Sequence, residues 1–171
     1  MGYSLTIGEA YLHWEPGYCT IEAKGEKHSN APAFGEPTDY TNSRWPSYTA
    51  WHDSMEKLDL LDFMFNEFEY EGESYPSLIE DHPGVMPITK EYLDYLKLKL
   101  DEYKSKNPTH IAKLPPPKEG AIPIIKGSLI YRDEDRDNNP IYDSALCRGE
   151  WLLYWIEWAV NNCKQPVFVN T

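Results

Sequence analysis

The segment Ser144 to Cys163 constrains the fold of this 171-residue chain more than any other. Leu146, Gly149, Leu152 or Leu153, Ile156 and Val160 recur at helical spacing along one side, and Trp151, Trp155, Trp158 and Asn162 along another. A helix apolar nearly all round must be covered on most sides, so it is expected at the centre of the fold. Its tryptophans would then be core packing, with indole N–H groups in need of partners, or walls of a ligand pocket.

The remaining elements read as an α+β chain. Tyr3-Ser4-Leu5-Thr6-Ile7 alternates in the period of a half-buried strand, and Tyr18 to Ala23 can pair with it after the Glu15-Pro16-Gly17 turn. Trp51, Met55, Leu58, Leu61, Phe65 and Phe68 share one helix face, which predicts a helix over 47–68 with Ser47 as its N-cap. Residues 72–87 hold three prolines and two glycines and read as loop. A second helix over 90–106 is expected, capped by Thr89, striped by Tyr92, Leu93, Leu96, Leu100 and Tyr103, and stopped at Asn107-Pro108. Leu114-Pro115-Pro116-Pro117 reads as a stiff connector, and 121–131 as a strand whose Pro123 suits an edge. Asp133 to Asn139 begins like a calcium loop, but Asn138 stands where the loop needs Gly and Ser144 where it needs Glu, so a polar turn is expected. The length fits one compact domain spanning 1–171, with long loops at 24–46 and 107–120. Its N-terminal hairpin and a small antiparallel sheet would pack against about three helices, the Trp-rich C-terminal one central.

Charge excludes some functions. The chain carries −12 net, and the whole excess lies in residues 1–85, with 16 acids against 4 bases. From Asp53 to Asp81 there are ten acids and one base, Lys57. Duplex nucleic acid draws most of its affinity from Lys and Arg on phosphates, so direct duplex binding is not expected. The acidic run is either a solvated face or a docking surface for a basic protein. No apolar run approaches a membrane span and the N-terminus lacks a signal-peptide pattern, so no membrane partner and a cytoplasmic location are expected. Cys19, Cys147 and Cys163 form no CxxC pair, and the five histidines are scattered, so neither a disulfide framework nor a metal site is expected. With no P-loop, dinucleotide fingerprint, G-x-S-x-G or H-E-x-x-H, no cofactor is expected either.

Two arginines sit beside aromatic clusters: Arg44 with Trp45, Tyr48 and Trp51, and Arg148 with Trp151. A guanidinium binds phosphate or carboxylate bidentately and an aromatic face stacks a base or sugar, so the pairing suits a nucleotide-like anion. The alternative is an internal ion pair, with Glu150 or Glu157 as partner. In Glu80-Asp81-His82-Pro83-Gly84 a carboxylate could orient the imidazole as a general base, or His82 could simply brace the turn. His52 is a possible second polar group, and a Cys147 nucleophile would need a neighbouring His.

The set Arg44-Trp45-Pro46-Ser47-Tyr48-Thr49-Ala50-Trp51, His82-Pro83-Gly84 and Trp151-x-x-x-Trp155-x-x-Trp158-Ala159 resembles that of small uncharacterised proteins of bacteria and their phages. The resemblance brings no activity with it. A phage affiliation would imply a small accessory protein in the host cytoplasm, one countering a host defence. Three readings follow. The first is a non-enzymatic protein sequestering a small anionic, nucleotide-derived ligand through Arg44, Arg148, Trp45, Tyr48, Trp151 and His82. The second is an acidic inhibitor or adaptor of a basic host protein, and the third a hydrolase using His82 with Glu80 or Asp81. A homo-oligomer is compatible with all three.

Overall fold

A computed structural model describes residues 4–33, 38–45, 47–114 and 139–171. The expected strand at 121–131 and the acidic turn from Asp133 lie outside the described residues. Its sheet is antiparallel throughout, built on β1 (Leu5–Glu15) and β2 (Tyr18–Ala23), with the short β3 (Ser43–Arg44) beside β1. The last strand, β7 (Pro166–Asn170), lies between β1 and β6 (Gly84–Pro87). Sequence reading placed 3–7 against 18–23. Instead, β2 pairs with Ala10 to Glu15, while Leu5 to Glu9 pair with β7. The run after Ile7 is less apolar, yet it continues the strand because β7, then the Gln165 carbonyl and then β2 supply its main-chain partners.

One face of this sheet carries Leu5, Ile7, Phe168 and Met86, all buried in the core shared with the helices. Against it lies the helix Ser144–Asn162, here α4, which in turn packs on α1 (Tyr48–Lys57) and α3 (Lys90–Lys106), with α2 (Leu61–Phe65) beside α1. The fold is thus a single compact α+β domain. Trp151, Leu152, Trp155, Ile156 and Ala159 of α4 are at most 2% exposed, and α4 packs on α1, α3 and β1. It is the central element that its all-round apolar pattern requires.

Helix α3 begins and ends where its stripe predicts, although the Thr89 hydroxyl makes no capping bond. Ser47 does cap α1, accepting from the Ala50 N–H at 3.2 Å. The single helix expected over 47–68 is broken. Asp59 adopts φ 57°, the Leu60 N–H reaches back to the Met55 carbonyl and the Asp59 N–H to the Glu56 carbonyl. These paired bonds around a left-handed residue are the Schellman ending, which satisfies carbonyls the helix would otherwise leave orphaned. Asp59 then pairs with Lys99 on α3, tying the break to the neighbouring helix. Phe68 fits the helical stripe equally well, but it starts β4 (Phe68–Tyr70), paired with β5 (Glu73–Tyr75). Both residues between them, Glu71 and Gly72, have positive φ, as a two-residue turn matching strand twist demands. The stretch 72–87 therefore holds two strands where a loop was expected.

Candidate functional site

The six residues expected to bind an anion are not all brought to one place. Arg44 is 4% exposed, and its guanidinium lies 5.7 Å from the Trp151 ring centre. The Trp151 indole donates to the Thr41 carbonyl at 3.1 Å, and its ring meets Trp51 edge-on. Arg44 and Trp151 are thus brought together, inside the protein. Arg148 donates to Ser54 Oγ at 3.1 Å and to the Ser144 carbonyl at 3.2 Å, bridging α4 to α1. Its expected partners are engaged elsewhere: Glu150 with Lys104, and Glu157 with Lys97 at 2.5 Å. Trp45 and Tyr48 are 69% and 48% exposed, Tyr48 lying 5.4 Å from Phe65.

His82 is remote from these groups. Gly84, Asn170, Leu5 and Arg44 stand opposite one another across four strands, so Gly84 and Arg44 are three strand spacings, about 14 Å, apart. The His82 Nδ1 lies 2.8 Å from Asn170 Oδ1, and the His82–Pro83 peptide bond is cis. Glu80 and Asp81 are exposed. The cavity they line with Asn170 is about 30 Å³, room for about one water. A cavity of about 480 Å³ lies between Asn30 to Ala33, Ala112, Lys113 and α4. That volume would take a nucleotide. None of the six expected residues lines it, and α4 contributes Glu150 and Glu157 there.

The acidic run is arranged differently. All ten carboxylates from Asp53 to Asp81 are exposed, and Asp59 alone of the ten pairs with a lysine among the described residues. Lysines on α3 are spent on internal pairs: Lys90 with Asp94, Lys97 with Glu157 and Lys104 with Glu150. On the β4–β5 hairpin, desolvation and then the carboxylates of Glu71 and Asp94 push the Tyr70 hydroxyl above its ordinary pKa. Tyr75 is pushed the same way by desolvation, then by Glu73, Glu91 and Glu71.

Two clusters escaped sequence reading. His52, Asp53 and Glu56 on the exposed side of α1 hold ligand-capable atoms within 4.8 Å of one another, so these three could hold a divalent metal. The i, i+4 spacing of His52 and Glu56 is the signal the sequence carries for it, one that a search for His and Cys spacings alone does not register. The other cluster centres on Asp143, 1% exposed and N-cap of α4. Its carboxylate accepts from the Ala145 and Leu146 N–H groups at 3.0 and 3.1 Å, from His110 Nδ1 at 2.7 Å and from the Tyr103 hydroxyl, with Lys57 Nζ at 3.2 Å. Burial pushes its pKa up, but the bonds from Tyr103, His110, the Leu146 N–H and Lys57 outweigh this and bring it down to about 2. Burial, then the Asp143 bond, pushes Tyr103 well up. A carboxylate orienting an imidazole can serve acid–base chemistry, yet here the same carboxylate caps a helix and joins α1, α3 and α4.

Comparison with protein-family models, curated proteins and solved structures finds no match. No helix among the described residues is long and apolar enough to cross a membrane.

Proposed function

We propose that this chain is a non-enzymatic binding protein whose acidic surface, running from α1 through the β4–β5 hairpin, docks onto a basic partner protein. The observation that carries this reading is the opposite fate of the two kinds of charge. Ten carboxylates between Asp53 and Asp81 face solvent, whereas Arg44 is buried over Trp151 and Arg148 holds α1 to α4. Unneutralised carboxylates on a folded surface repel one another and gain most when a complementary positive surface arrives. The half-buried Tyr70 and Tyr75 and the exposed Tyr48 add apolar area beside the charges, as contact surfaces rich in tyrosine do. The resemblance to small phage proteins favours a host protein whose basic surface normally takes up nucleic acid. Sequestration of a small anion has less support, because Arg44 and Arg148 would have to leave their present contacts.

The test is reversal of Glu67, Glu69, Glu71 and Glu73 to lysine, all four being exposed. Partner captured from the producing cells and identified by mass spectrometry should bind the reversed variant at least ~100-fold more weakly, while circular dichroism stays unchanged. Wild-type binding should also weaken as salt rises. Equal binding by the two proteins would remove this reading.

A further inference from the structure

Beyond Ala10 the β1–β2 hairpin leaves the body of the sheet. Among the described residues its strands there pair only with each other, since the β7 ladder on β1 stops at Glu9. The register sorts its side chains cleanly. Ala10 and Ala23, Leu12 and Ile21, and Trp14 and Cys19 are opposed pairs on one face. Tyr11 and Glu22, His13 and Thr20, and Glu15 and Tyr18 occupy the other. The first face therefore holds no charged group, and it is open: Leu12 is 66% exposed, Trp14 69% and Ile21 48%, with Cys19 also exposed. A two-stranded arm is marginal in water without something against its apolar side.

We infer that two copies of this chain associate through this face, arm against arm, with Trp14 of each copy set over Leu12 and Ile21 of the other. Two features select a second copy as the occupant. In a protein of net charge −12, like molecules repel over most approaches. Here they can meet without bringing carboxylates together, because Glu15 and Glu22 point to the opposite face of each arm. The area also fits an isologous contact. Exposed Leu12, Trp14 and Ile21 make a patch on the order of 400 Å². Two such patches with their rims remove on the order of 1,000 Å², the lower edge of specific interfaces. The resulting dimer is weak and concentration-dependent, with micromolar affinity.

Sedimentation equilibrium over a wide concentration range tests this on the full chain. The average mass should climb from 19.9 kDa toward twice that value for the wild type. Trp14→Glu and, separately, Leu12→Glu should stay at the single-chain mass, the dimer dissociation constant having risen at least ~tenfold. Tyr18→Ser, on the opposite face, should dimerise as the wild type does. Alkylation of Cys19 provides a second readout: its rate should fall as concentration rises in the wild type and stay constant in Trp14→Glu. Of the other thiols, Cys147 is buried, and Cys163 is pushed up to about 11, first by desolvation and then by Glu9 and Glu26. A wild type that remains at 19.9 kDa throughout overturns the inference, as it would if the face serves a different protein. So does dimerisation that survives Trp14→Glu and Leu12→Glu, or that is lost equally in Tyr18→Ser.

Discussion

Replacing Asp143 by asparagine isolates the charge at the joint of three helices. Asn keeps an oxygen for the Ala145 and Leu146 N–H groups, so the cap on α4 persists while the ionic partner of Lys57 and the strong acceptor for Tyr103 and His110 are lost. Lowering of the carboxyl from 3.8 to about 2 corresponds to about 2 kcal/mol, each pH unit being worth a little over 1 kcal/mol. With Asp143 1% exposed, solvent screening takes little from that figure. A depressed acid contributes fully above its unfolded pKa and loses its contribution as pH falls through the folded value. Asp143→Asn should therefore cost about 2 kcal/mol at pH 7, and only about half as much at pH 3. Urea unfolding followed by tryptophan fluorescence at both pH values measures the gap. The reasoning fails if the variant lies within about 0.5 kcal/mol of wild type at pH 7. It fails equally if the gap is as wide at pH 3. Asp143→Ala should cost about 1 kcal/mol more, for the cap.

Other substitutions probe the sheet. Asn42, 1% exposed, donates to the Ile7 and Lys24 carbonyls at 2.8 and 2.7 Å and accepts from the Glu26 N–H at 2.8 Å, so Asn42→Ala should cost about 3 kcal/mol in chemical unfolding. A methyl group at Gly84 would lie 2.4 Å from the Asp81 carbonyl oxygen, a backbone atom that yields poorly, so Gly84→Ala should destabilise by about 2 kcal/mol in thermal melts. No loss in either variant would show that these contacts are dispensable.

Regular, one-sided patterns were the legible part of the sequence. The α3 stripe of Tyr92, Leu93, Leu96, Leu100 and Tyr103 marks both ends of that helix, and the unbroken apolar surface of α4 correctly puts it at the centre. Strand β7 escaped reading because Val167, Phe168 and Val169 are all buried, so the run lacks the alternation of a half-exposed strand. Nothing in the spacing marks the break at Asp59, which depends on a left-handed residue other than Gly or Asn. At the candidate site, the Arg44–Trp151 contact joins residues that both flank aromatic clusters, but the burial of Arg44 is a tertiary outcome. Asp143 and His110 are 33 residues apart, and the tertiary bridge in which Ile111 bonds the Ile141 carbonyl and the Asp143 N–H brings them to 2.7 Å. The exposure of the acidic run was the most readable property of the surface, since ten acids with one lysine have few ways to be buried.

Docking through that surface is tested most directly by zero-length carbodiimide cross-linking in the producing cells, because the reagent joins carboxylates only to amines already in contact. The account expects one basic protein to be joined through lysines to Glu67, Glu69, Glu71 or Glu73, with the product lost when these four are reversed to lysine. Cross-links that avoid this stretch, together with a purified chain retaining a ligand of a few hundred daltons in native mass spectrometry, would contradict it and return the case to anion sequestration.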